Sequence, residues 1–407
     1  MHHNELIPSL FRTEYSKMVS VLCKTYGLSS IELAEDFVSD SFLKAAETWK
    51  LKGVPDQPVS WLYSVSKNNA RDFFKRSVNY AQKVAPVLSK EGFTDAEFEI
   101  DMSEDNIKDS QLQMLFAVCD PVNPPEAQIA LALKILCGFG VEEIANAFLS
   151  NKQTINKRLY RAKENLRKHE VKLVMPGPET RSERLQSVLS TLYLLFNEGY
   201  YSQTNQNTIR KDFCFEAMRL LHILTENAGT EGPEVNALMA LFCFQSSRFK
   251  ARSGGEGEQI LYDEQNIEDW DFELIEQGEY YLNCSATGTS VTKYHLEAMI
   301  AYWHARSGIE AENKWEAILQ IYNRLLQIDY SPMAALNRTY ALAKVKGNNV
   351  ALKEALKINL DTSQLYHALL AELYESKSLK KKHLQKALEL SSSKAEQRIL
   401  SQRLLNL

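Results

Sequence analysis

Seven Lys or Arg residues stand against two Glu between residues 151 and 171, while residues 91–109 carry eight acids against Lys108 alone. A net charge of −5 conceals this polarity. Cations set at helical spacing suit phosphate oxygens, and short polar side chains beside them suit base edges. Acid–base or nucleophilic chemistry finds less support. His222, His295, His304 and His367 are scattered, with no base or nucleophile at matching spacing. Cys23, Cys119, Cys137, Cys214, Cys243 and Cys284 form no CxxC pair or Cys/His cluster, which reads as free thiols in a reducing compartment. The expectation is a non-catalytic chain without cofactor or metal.

The cationic run needs a scaffold, and its apolar spacing supplies one. Val141, Ile144, Ala145 and Phe148 make one face of a short helix, and small Ala145 lets a second helix cross closely. After a break at Leu149-Ser150-Asn151, a second helix turns Ile155, Leu159, Ala162 and Leu166 inward. Its outer face carries Lys152, Gln153, Thr154, Asn156, Lys157, Arg158, Arg161, Lys163 and Arg167. This is helix–turn–helix spacing, with Gln153, Thr154, Asn156 and Lys157 placed to read bases. Arg158, Arg161, Lys163 and Arg167 suit backbone contacts or helix-supporting salt bridges. Leu149 stands where the motif usually has glycine, and Ser150 where an apolar residue often packs.

Elsewhere the composition favours helix: Gly (16) and Pro (11) are scarce, and no strand alternation of useful length occurs. The fold expected is all-α, and 407 residues imply two to four domains. Four segments are expected: residues 1–77, an acidic flexible linker over 78–108, residues 109–175, and a helical extension over 179–407. Met175-Pro-Gly-Pro178 breaks the helix before the extension. From about residue 300, helix pairs recur every 31–34 residues; residues 334–343 and 366–374 correspond, and each precedes a second helix, over 350–358 and 379–390. That pattern is TPR-like. No run of ~20 apolar residues spans a bilayer, and the N-terminus lacks signal-peptide character, so the expected location is the cytoplasm.

Two N-terminal stretches carry further chemistry. Ala34, Phe37, Val38, Ser41, Phe42, Ala45 and Trp49 form an inward stripe, leaving Glu35, Asp36, Ser39, Asp40 and Lys44 outside to steer toward a basic partner. Residues 58–76 interleave aromatic and cationic side chains suited to holding unstacked bases. Trp61, Lys67, Asn68, Asn69, Arg71, Lys75 and Arg76 are the candidate contacts, Trp61 being also a candidate core residue.

The segment Val141–Lys163, with Arg158-Leu-Tyr-Arg-Ala-Lys163 at its end, resembles the fourth conserved domain of bacterial RNA polymerase sigma factors of the extracytoplasmic-function type. Residues 34–49 resemble the sigma helix that docks on the polymerase β′ clamp, and residues 58–76 the segment that opens and grips the −10 element. The resemblance implies that the basic helix reads the −35 element and that residues 52–57 help capture a flipped base. The implied partners are promoter DNA and core RNA polymerase, through its β′ clamp and β flap. Leu192-Tyr-Leu-Leu-Phe-Asn-Glu-Gly-Tyr200 resembles a motif of the sigma subgroup with a C-terminal TPR-like extension. A regulatory protein or ligand acting on that extension is implied, and no membrane. The competing expectation is a TPR-like interaction scaffold with degenerate sigma segments.

Overall fold

The computed structural model describes residues 3–84, 100–148, 150–200, 210–252, 260, 265–306, 313–391 and 394–407. Among these residues the chain is helical throughout, without a strand. No helix among them is long and apolar enough to cross a membrane. It divides into two compact units, Met1–Leu194 and Leu195–Leu407.

The first unit is built around α1 (His3–Tyr26). Tyr15, Met18, Val19, Val21, Leu22 and Cys23 are almost completely buried, so this helix is enclosed rather than amphipathic over its second half. It packs against α2 (Ile31–Lys52) and α3 (Pro58–Val84), and also against α4 (Glu104–Val118) and a π-helical turn over Ala132–Leu136. Gly53 ends α2 at a φ of 82°, a left-handed position that glycine takes without strain. Pro125 begins α5 (Pro125–Leu131) at a position whose N–H needs no helical partner. Then come α6 (Val141–Ala147) and α7 (Lys152–Lys168).

Elements of segments 1–77 and 109–175 pack within the first unit: α1 lies between elements of both, and Lys24 Nζ bonds Asn106 Oδ1 at 2.7 Å and pairs with Asp109. The expected linker is helical at both ends, through Val84 and from Glu104, and its residues 85–99 lie outside the described residues. The first unit also extends past the Pro-Gly-Pro break into α8 (Pro178–Tyr200). Arg184 donates to the Phe116 carbonyl at 2.7 Å and pairs with Asp120 at 2.9 Å. Ser187 donates to the Cys119 carbonyl at 2.7 Å, and Thr191 to Gln128 Oε1 at 2.6 Å.

Among the described residues, the second unit holds the end of α8, a 3-10 turn over Ile267–Asp269 and ten α-helices: α9 (Lys211–Thr225), α10 (Pro233–Ser246), α11 (Phe272–Ser285), α12 (Lys293–Ala305), α13 (Lys314–Ile328), α14 (Pro332–Lys346), α15 (Asn348–Ala355), α16 (Gln364–Leu373), α17 (Lys377–Leu390) and α18 (Lys394–Leu405). From α9 onward each helix packs on the next. A single core of Ile318, Leu336, Leu342, Ala351, Tyr366 and Leu370 runs through α13–α16, so no helix pair there buries its apolar face alone.

Candidate nucleic-acid interface

The sharpest candidate site is the α6–α7 pair. The Glu143 carboxylate accepts the Gly140 N–H at 2.7 Å and fixes the start of α6. Ile144 and Ala145 are buried, and the Ser150 N–H returns to the Ala145 carbonyl at 2.9 Å, so the turn closes with serine at that position. Leu149 lies outside the described residues. Asn151 caps α7, its Oδ1 accepting the Thr154 N–H at 2.8 Å, which satisfies an otherwise orphaned donor. Ile155, Leu159, Ala162 and Leu166 are all buried. That burial orients the opposite face: Lys152, Gln153, Thr154, Asn156, Lys157 and Arg161 are exposed. Arg158 is half-buried, its guanidinium 5.6 Å from the Phe148 ring centroid.

Tyr160 was not foreseen as a site residue. It is 65% exposed between Lys157 and Arg161 and adds a ring to the cationic face. Its place outside the inward stripe was the available signal.

The α2–α3 surface is more mixed. Ala34, Val38, Ser41, Phe42, Ala45 and Trp49 are buried, while Phe37 is half-buried against Phe73 and Phe74. Trp61 is half-buried, its ring edge-on to Trp49 at 5.4 Å, so much of it serves packing. Asn69 Oδ1 accepts from Lys44 Nζ at 2.8 Å, and Arg71 donates to Asn68 Oδ1 at 3.0 Å. Lys67 and Lys75 are half-buried and Arg76 is exposed. Lys67 also lines a 590 Å³ cavity with Tyr63, Ser64, Ile100, Asp101 and Met102.

Two expected contact residues lie elsewhere than the helical period placed them. Glu35 is buried, not on the outer face of α2, and Lys163 is largely buried, not on the outer face of α7. The reason is that they pair with each other, across 128 positions of sequence. Lys134 Nζ approaches the same carboxylate at 4.0 Å, and the Tyr15 hydroxyl donates to Glu35 Oε1 at 3.0 Å. Burial raises the Tyr15 hydroxyl pKa, and the neighbouring Glu35 charge raises it further, so the phenol keeps its proton for that bond. At the rim, Arg167 pairs with Glu32 at 2.9 Å and with Glu164. Asp36, Ser39 and Asp40 remain exposed. The Asp36 pKa is raised by partial burial and then by Glu35 and Asp40, as expected where like charges crowd.

No cluster of metal-ligating side chains occurs among the described residues. The six thiols are free, and burial pushes those of Cys119 and Cys243 up to about 12, far from the thiolate form a nucleophile needs.

Residues 184–286, from α8 into α11, match a family of unknown function, DUF6596. The uncharacterized protein R00370 of Rhizobium meliloti (strain 1021) is 31% identical over 343 residues, covering 84% of this chain and 81% of that protein. The RNA polymerase sigma factor YlaC of Bacillus subtilis (strain 168) is 24% identical over 175 residues, covering 42% of this chain and 96% of that protein. No solved structure matches the chain.

Proposed function

We propose, from the premise that this chain belongs to the same family as the Rhizobium meliloti protein R00370, that it is a sigma factor. In this reading it directs core RNA polymerase to promoters and assists their opening, without catalysis of its own. The carrying observation is the capped, cationic α7 with Lys152, Gln153, Thr154, Asn156, Lys157 and Arg161 exposed, on a chain similar to a sigma factor over 175 residues.

The roles divide by chemistry. The first turns of α7 offer donors and acceptors to base edges of the −35 element, and Arg158 and Arg161 offer charge to phosphates. The aromatic and cationic side chains of α3, among them Trp61, Lys67, Arg71, Lys75 and Arg76, suit unstacked bases of the −10 element. Asp36, Ser39 and Asp40 form the exposed acidic surface for the β′ clamp. The second unit, TPR-like from about residue 300, regulates this activity through a protein or ligand.

Purified chain added to core polymerase should yield promoter-specific run-off transcripts. Failure across a broad promoter screen, with the chain folded, would remove the reading. One observation favours a second reading, a helical interaction scaffold whose sigma-like segments no longer act: Glu35 and Lys163 satisfy each other instead of facing outward. A scaffold of that kind would not retain core polymerase in a pull-down.

A further inference from the structure

Residues 377–407 hold eight of the chain's 47 Lys and Arg but two of its 52 Asp and Glu. They fold as a helical hairpin on the second unit. Leu384 and Ala387 of α17 share a core with Leu400 of α18 and Ala371 of α16. Lys377, at the start of α17, reaches the Leu407 carbonyl at 2.8 Å, so the two helices run antiparallel. That core fixes which side chains face out: Lys381, Lys382, Gln385 and Lys386 are exposed on α17, and Arg398, Gln402 and Arg403 on α18.

Local physics disfavours this distribution of charge. Lys377 and Lys380 lie in the first turn of α17, at the positive end of its dipole, and no acid shares that turn. Lys377 and Lys381, and again Lys382 and Lys386, stand four residues apart, where like charges on a helix repel. Glu389 relieves Lys386 at 3.0 Å. Among the described residues no carboxylate pairs with Lys381, Lys382 or Arg403. Elsewhere in the second unit Lys250, Lys293 and Lys357 each meet an acid. The hairpin thus keeps an excess of charge that its own fold leaves to be neutralised from outside.

We propose that α17 and α18 form a second DNA-binding surface, which grips the phosphates of a duplex without reading its sequence. The chemistry favours DNA over an acidic protein. Protein interfaces are depleted of Lys and centre on aromatic anchors, whereas DNA interfaces are polar and strongly cationic. Between Lys381 and Lys386 the exposed positions are Lys382 and Gln385, with no ring among them. Residues 381–386 cover about 7.5 Å of helix axis. A DNA strand presents a phosphate every ~3.4 Å along its own axis, so this row of cations can meet two successive phosphates. On α18, a 670 Å³ cavity is lined by Gln397, Arg398, Ser401, Gln402, Leu405 and Asn406. Its guanidinium, amides and hydroxyl can donate to phosphate and sugar oxygens, and no carboxylate opposes them. This surface goes beyond the sigma reading and does not depend on it. In a chain that also binds DNA through α7, either contact raises the effective concentration of duplex at the other.

The test uses the full-length chain and a fluorescent non-promoter duplex of about 30 base pairs, followed by anisotropy across a salt series. Lys157→Ala and Arg161→Ala are present throughout, to reduce the share of α7. In that background, Lys381→Gln with Lys382→Gln should weaken binding about tenfold and lower the log–log salt slope by about two. Both side chains are exposed, so the unfolding midpoint should stay in place. Lys346→Gln with Lys353→Gln removes equal charge from exposed positions of α14 and α15 and should leave the slope at its parent value. An unmoved slope in the α17 variant overturns the proposal. An equal fall in the α14–α15 variant also overturns it, because net charge alone would then be responsible. Loss of polyglutamate binding with the duplex slope unchanged would make the partner an acidic protein instead. If run-off transcription fails while the α17 variant still loses slope, the sigma reading falls and the second DNA surface stands.

Discussion

At the scale of single residues, exposure decides what a side chain can do. Lys157 and Arg161 stand on the open face of α7, so Lys157→Ala and Arg161→Ala should each weaken upstream-promoter binding severalfold. The log–log salt slope should fall by about one per charge if each contacts a phosphate. Affinity and slope that do not move, measured by anisotropy across a salt series, would place the recognition surface elsewhere. His295 gives a second case. It is buried at the third position of α12, where Nδ1 accepts the Thr292 N–H at 3.2 Å and so caps the helix. Burial lowers its pKa below the usual 6.5, the Ser285 backbone and Glu234 opposing. Because the unfolded chain takes the proton first, the stability His295 contributes is fully present above about pH 6.5 and is lost as pH falls from there through the lower folded-state pKa. Thermal unfolding from pH 7.5 to 5 should show this loss, and His295→Gln, which keeps a capping acceptor without titrating, should reduce it, the remainder coming from His304 and His383, whose pKa values burial also lowers.

At the scale of elements, period revealed which faces point inward but not what meets them. The stripes of α2 and α7 were legible because Ala34, Val38, Phe42 and Ile155, Leu159, Ala162 recur at helical spacing. Lys163 and Glu35 were misplaced by the same logic, since a charge beside an apolar stripe reads as solvated until its distant partner is known. The turn after α6 carries serine where an apolar residue often packs, yet the Ser150 N–H bonds the Ala145 carbonyl regardless of side chain. Close helix approach in the second unit had no visible signal either. A Cβ at Gly278 of α11 would stand 2.6 Å from the Phe244 ring of α10, so the two helices meet at a distance only glycine permits. Gly278→Ala should therefore destabilise the protein by about 1–3 kcal/mol despite alanine's better helix propensity. Denaturant unfolding checks the sign, and a stabilised variant would mean that α10 and α11 separate freely.

At the scale of the whole molecule, the boundary between sigma-like part and extension governs how regulation can be tested. The Pro-Gly-Pro break suggests cutting after Lys172, but the first unit continues into α8. Arg184, Ser187 and Thr191 bond Phe116, Cys119 and Gln128 there, and Val188, Leu189 and Leu192 are fully buried. Cutting at Lys172 deletes these partners, leaving buried carbonyls without donors and apolar surface exposed. It should lower the unfolding midpoint by several degrees or prevent folding. A chain ending at Tyr200 retains α8 and removes the later helices. If the extension restrains activity, that longer product should bind polymerase and transcribe differently from the full chain at equal stability. If the two behave alike, the later helices serve a partner unrelated to initiation. Loss of activity in the shorter product alone would report the missing α8 and nothing about regulation.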